Sequence, residues 1–81
     1  MDSREKIAED FDQAAVELEK AAAYYRIAAT RYRAQDVSAG WAHAFAGIGH
    51  VSKADVLISK NAEMHSNFAR IIEQAREREE G

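Results

Sequence analysis

The chain has no cysteine and no proline among its 81 residues, and glycine occurs only four times. Without cysteine, no disulfide can support the fold, and the lack of thiols fits a reducing compartment. Without proline, long helices can run uninterrupted. A chain this short buries only a modest part of its surface, so we expect its stability to depend on good helix packing or on self-association.

The sequence also lacks a long apolar run and an excess of basic residues. No stretch approaches the ~20 apolar residues needed to span a bilayer, and the charged segment 1–12 is unlike a signal peptide. The net charge of −3 argues against a general nucleic-acid binder, which carries a broad basic face. We therefore expect one cytoplasmic domain over residues 1–81, with neither a membrane nor a nucleic acid as partner.

Charge is distributed unevenly along the chain. Residues 1–20 carry seven acidic side chains against three basic ones, whereas residues 21–35 carry three arginines and no acid. The first half of the chain is therefore negative where it begins and positive where it ends.

Apolar residues recur every seven positions in the first half of the chain. One set is large, the other is mostly alanine, and together they fill the a and d positions of nearly four heptads, which predicts a helix over residues 3–35. A second alanine stripe makes the apolar face wider than a two-helix monomer needs, so the pattern predicts an oligomer. The large set is Phe11, Leu18, Tyr25 and Tyr32; the small set is Ile7, Ala14, Ala21 and Ala28; the second stripe is Ala8, Ala15, Ala22 and Ala29.

A short turn is predicted at residues 36–39, where Asp36 or Ser38 can cap the helix that follows. A short link between two helices favours an antiparallel hairpin. The second helix, predicted over residues 40–78, carries a further a/d seam with one polar member, Asn61. A lone polar seam residue is a known device for fixing register or oligomer state.

Two glycines, Gly47 and Gly49, lie inside this second helix, and each costs about 1 kcal/mol relative to alanine. They predict a kink near Gly47–Gly49, a break at 47–50 that would give three helices, or a close approach of another backbone. We favour an all-α hairpin of two long helices, kinked near Gly47–Gly49, that assembles into a dimeric or higher-order helical bundle. The predicted interface residues are Phe11, Leu18, Tyr25, Tyr32, Leu57, Asn61, Met64, Phe68 and Ile71.

Aromatic and basic residues cluster where the first helix ends and the second begins. Such side chains can hold a phosphate or a nucleobase, and the free N–H groups at the start of the second helix would add an anion site. The competing interpretation is structural, because seam tyrosines pack and arginines complement the C-terminal dipole of a helix. The candidate ligand-binding residues are Tyr24, Arg26, Arg31, Arg33, Trp41 and His43.

Neither a metal, a cofactor nor a catalytic site is predicted. His43 and His50 are seven residues apart, about 10 Å along a helix, which is too far for one ion unless an oligomer gathers copies of them. No nucleophile elbow, phosphate-binding glycine loop or catalytic cysteine is present. The favoured function is a non-enzymatic adaptor or regulator that works through its helical faces as a homo-oligomer. The alternative is an oligomeric module that binds a small anionic ligand, such as a nucleotide, at the arginine-rich end.

Overall fold

The computed structural model describes the backbone of residues 3–80 and the side chains in that range other than residues 63–65, 68 and 80. It contains two helices, α1 (Ser3–Arg33) and α2 (Val37–Glu80), joined by a turn at residues 34–36. The helices pack against each other as an antiparallel hairpin of 64 × 30 × 13 Å. The predicted all-α hairpin is therefore confirmed, whereas assembly into a bundle stays a prediction.

The turn lies two to three residues earlier than predicted, because α1 ends in a compact C-terminal cap. Gln35 adopts a left-handed conformation with φ 63°. The N–H of Gln35 donates to the Tyr32 carbonyl at 3.0 Å, and the N–H of Asp36 donates to the Arg31 carbonyl at 2.9 Å. This pair of bonds is the Schellman motif, which normally places glycine at the left-handed position. The Asp36 carboxylate then accepts the Ala39 N–H at 3.2 Å, so the predicted Asp36 cap is confirmed.

The second helix is one continuous element across both internal glycines. The three-helix alternative, with a break at 47–50, is therefore not adopted. A helix of 44 residues spans about 65 Å, which matches the 64 Å length of the molecule. The smaller change of direction predicted near Gly47–Gly49 stays a prediction.

Two glycines of α2 lie beneath tyrosine rings of α1. A Cβ atom placed on Gly47 would lie 2.5 Å from Cε1 of Tyr25, and one placed on Gly40 would lie 2.8 Å from Cδ2 of Tyr32. The tyrosines are seven residues apart, as are the glycines, and their order is reversed because the helices are antiparallel. Of the outcomes predicted for the two glycines, Gly47 shows the close approach of a neighbouring group. That group is the aromatic ring of Tyr25 rather than a backbone.

The interior of the hairpin is built from small residues. Among the described residues, every buried hydrophobic residue is an alanine: Ala14, Ala21, Ala28 and Ala54. Fourteen large hydrophobic side chains of the described residues keep between 37% and 69% of their surface exposed: Phe11, Val16, Leu18, Tyr25, Ile27, Tyr32, Val37, Trp41, Phe45, Ile48, Val56, Ile58, Ile71 and Ile72. The two helices can therefore approach closely, but a single hairpin buries little apolar surface.

The glycine positions give a matched pair of substitutions. Gly49→Ala is expected to raise the free energy of unfolding by about 1 kcal/mol, because no atom lies within 4 Å of the new Cβ and alanine is the better helix former. Gly47→Ala should instead lower it by about 1–2 kcal/mol, because the Tyr25 ring has to move. Urea unfolding followed by circular dichroism measures both, and equal stabilisation by the two alanines would contradict the packing of Tyr25 on Gly47.

Candidate interaction surface

The hairpin has two unlike sides, because residues seven apart return to nearly the same side of a helix. The side that we call the polar face carries acids and a tyrosine from α1 opposite histidines and an asparagine from α2: Asp10, Glu17, Tyr24, His43, His50 and Asn61. Helical geometry at 100° per residue places eight of the exposed large apolar side chains on the other side, which we call the apolar face. Its members are Phe11, Leu18, Tyr25, Tyr32, Val37, Trp41, Ile48 and Ile58.

The centre of the polar face is a buried carboxylate, Glu17, which is only 7% exposed. Its Oε2 accepts a hydrogen bond from Nδ1 of His50 at 2.5 Å, and its Oε1 accepts one from the Gln13 amide at 3.2 Å. The hydrogen bond from His50 holds the pKa of Glu17 below its usual value of 4.5, against the opposing effect of burial and with help from nearby Lys20. The Tyr24 ring stacks on His50 with centroids 5.5 Å apart.

A second buried carboxylate, Asp10, lies one heptad before Glu17 and is 5% exposed. It accepts hydrogen bonds from Lys6 at 3.1 Å and from the Asn61 amide at 3.2 Å, and Lys60 lies 3.3 Å away. Lys6 is the largest cause, followed by Asn61, of the lowered pKa of Asp10, and burial acts in the opposite direction. The charge of Asp10 is therefore supported from both helices.

Asn61, the lone polar member of the predicted seam of α2, makes its hydrogen bonds within one hairpin. Its side chain is 1% exposed within its own chain, and its amide donates to the Leu57 carbonyl at 2.9 Å as well as to Asp10. All buried side-chain polar atoms among the described residues have partners. Asn61 thus fixes the register of the two helices in one hairpin, as a lone polar seam residue can.

The six candidate ligand-binding residues lie in separate places. Tyr24 and His43 contact each other on the polar face, with ring centroids 6.2 Å apart, and His43 Nδ1 donates to the Ala39 carbonyl at 2.7 Å. Trp41 instead packs edge-on against Phe45, with ring centroids 4.9 Å apart.

The arginines of this set lie apart from those aromatic rings. Arg26 and Arg31 border an open, shallow depression of about 420 Å³ together with Ile27 and Thr30, and Arg33 is exposed. The described structure therefore does not bring the six predicted residues into one pocket.

The predicted interface residues are mostly accessible. The four large seam residues of α1 are 40–45% exposed, Ile71 is 61% exposed, and Leu57 is half-buried. The side chains of Met64 and Phe68 lie outside the described residues. The sequence did not single out the two buried acids, although Asp10, Glu17 and Tyr24 repeat at the same seven-residue interval as the apolar seam.

Among the described residues, no group of three or more histidine, aspartate or glutamate side chains could hold a metal ion, and no described helix has the length and apolarity needed to cross a membrane.

Comparisons with known proteins add no assignment. The chain matches no protein-family model, no curated protein and no solved structure.

The lowered pKa of Glu17 predicts loss of stability in acid. Because the folded-state pKa lies below the usual 4.5, the stabilisation is complete above that pH and is lost as the pH falls through the lowered pKa. Glu17→Gln keeps the shape of the side chain but removes its charge. It should lower the free energy of unfolding at neutral pH and reduce its decline between about pH 5 and about pH 3.

Urea unfolding at a series of pH values measures this effect. Glu9→Gln, an exposed carboxylate on the same helix, is the control and should follow the wild type. If the free energy of unfolding falls by the same amount in acid for Glu17→Gln and for the wild type, the pair of Glu17 with His50 does not stabilise the hairpin.

Proposed function

We propose that this chain is a non-enzymatic helical interaction protein that associates with other copies of itself through its apolar face. One observation carries the proposal: no described apolar residue larger than alanine is buried, whereas eight large apolar side chains line one side of the hairpin. Monomeric proteins rarely leave so continuous an apolar surface in water. The apolar face is therefore best explained as an interface.

The size of the apolar face fits a specific protein interface. Its large side chains are about half exposed. At roughly 150–250 Å² for each large aromatic side chain and less for each aliphatic one, the face offers on the order of 800 Å², which is what one partner of a standard interface buries. Two hairpins that stack on this face would form a four-helix bundle, in which every helix has two neighbours.

The polar face limits how many copies can associate. Lys6, Lys20 and Lys60 extend into solvent there, with side chains 53–57% exposed, and they lie close to the two buried carboxylates. Covering this face with another protein would remove those ammonium groups from water, which is costly. With only one face suited to burial, a closed dimer is favoured over an open filament.

The ligand-binding alternative has less support from the geometry. It requires that arginines and aromatic rings converge on one anion, but Arg26 and Arg31 share a depression with no aromatic ring. Tyr24 and His43 contact each other on the polar face, and one nitrogen of His43 is already bonded to a carbonyl. An interaction protein accounts for more of the exposed surface than a ligand carrier does.

Two substitutions on α1 test the proposed function. Leu18 and Val16 are exposed to a similar extent, 43% and 40%, but they lie two residues apart and so point to nearly opposite sides of the helix. Leu18→Lys places a charge in the apolar face and is expected to weaken self-association at least a hundredfold, because a buried unpaired ammonium is strongly disfavoured. Val16→Lys should leave association unchanged.

Sedimentation velocity over a range of protein concentrations provides the measurement, with circular dichroism to verify that each variant is helical. A wild-type chain that stays monomeric at every concentration would refute the proposal. So would a Leu18→Lys variant that associates as tightly as Val16→Lys.

A further inference from the structure

We infer that two copies of the hairpin pair with their α1 helices antiparallel, and that a row of charged residues beside the apolar face selects this orientation. The inference rests on the proposed function, because it presumes that the apolar face is the interface. It adds the identity of the partner helix, the relative direction of the two copies and the contacts that set the register.

The apolar side of α1 is complementary to itself. Its large residues and the stripe Ala8, Ala15, Ala22 and Ala29 alternate along the same surface, and each stripe repeats every seven residues. In an antiparallel pair in which residue i lies opposite residue 40 − i, Leu18 faces the second copy's Ala22. In the same register, Tyr25 faces the second copy's Ala15. Every large residue then meets an alanine, so the two helices can approach closely in an isologous contact.

A charged row borders this apolar side. Asp12, Glu19, Arg26 and Arg33 each follow an alanine of the stripe by four residues, so they lie next to it on the helix surface. All four are exposed, and none has a side-chain hydrogen bond or an ion pair within the part of the chain that the structure describes. The row changes from negative to positive halfway along the helix.

Charge complementarity distinguishes the two possible orientations. A parallel pair would place acid beside acid and arginine beside arginine along the whole row, which is unfavourable. In the antiparallel register above, Asp12 and the second copy's Arg26 are offset by only about 3 Å along the helix axis. A long arginine side chain can bridge that offset. The symmetry produces this contact twice. The antiparallel arrangement is therefore the one that the charges favour.

The same register leaves one like-charge contact. Glu19 lies near the two-fold axis, so the two copies of this side chain approach each other. Glu19→Gln removes the repulsion and is expected to tighten the dimer by roughly twofold to fivefold at low salt, since exposed charge pairs contribute up to about 1 kcal/mol. An unchanged or weaker dimer would contradict the proposed register.

A charge swap within one chain tests the orientation. Asp12→Lys alone and Arg26→Glu alone should each weaken the dimer about tenfold at low salt, and less at high salt, because exposed charges are screened. The double variant should recover an affinity within about threefold of the wild type. Asp12 and Arg26 lie about 21 Å apart on their own helix, so only contacts between copies can produce the recovery.

The measurement is the dissociation constant of the dimer from sedimentation equilibrium, with circular dichroism to confirm that the hairpin is intact. Glu9→Lys makes the same charge change on another side of α1 and should leave the constant unchanged. Single variants that leave the dissociation constant unchanged, or a double variant that dimerises more weakly than either single variant, would overturn the antiparallel pairing while leaving self-association in place. A wild-type chain that never associates would overturn the proposed function as well.

Discussion

The close approach of the two helices through small residues is the constraint on which the rest of the structure depends. Ala14, Ala21 and Ala28 of α1 are buried against α2, and Gly40 and Gly47 of α2 lie under tyrosine rings. Helices that meet through such residues leave no room for large side chains between them. The large hydrophobic residues must then lie at the edges of the interface, where half of their surface remains exposed. A surplus of apolar surface is thus a direct result of how the hairpin packs.

The polar pairs give this packing a single register. Large residues on α1 and small ones on α2 both repeat every seven positions, so a shift by one heptad would place Tyr25 on Gly40 and preserve part of the packing. The hydrogen bonds of Glu17 with His50 and of Asp10 with Asn61 exist in one register only. Buried polar groups of this kind contribute specificity more than net stability, because their desolvation offsets much of the electrostatic gain.

The same pairs also make the two faces unlike. The carboxylates keep solvated lysines beside them on the polar face, whereas Tyr25, Tyr32 and their apolar neighbours lie on the other face. The division of the hairpin's surface into one polar and one apolar side therefore links the packing inside one chain to the contact proposed between two chains.

Periodicity was sufficient to predict the helices and their antiparallel arrangement, because a seven-residue repeat and a short link leave few alternatives. It did not locate the turn, since Gln35 holds a left-handed conformation that is more typical of glycine. It leaves the role of Asn61 open between register and oligomer state, because a heptad pattern shows that a residue faces a seam but not whether the seam lies within or between chains. The pattern does not distinguish Asp10 and Glu17 from other acids, because most acids on a helix are solvated and only the partners on α2 make these two different.

The six predicted ligand-binding residues lie in separate places for a related reason. Residues near the same end of a hairpin can still point to different sides, as Arg26 and Tyr24 do at two positions apart. The rotation about each helix axis separated the arginines from the aromatic rings.

The most direct test of the central claim is thermal unfolding of the unmodified chain at protein concentrations that span about three orders of magnitude. If association through the apolar face supplies the stability that one hairpin lacks, folding and association are coupled, and the unfolding midpoint rises steadily with concentration. A midpoint that is independent of concentration, observed for a chain with the mass of a monomer, would show that the hairpin is stable alone. The exposed apolar face would then need a different explanation.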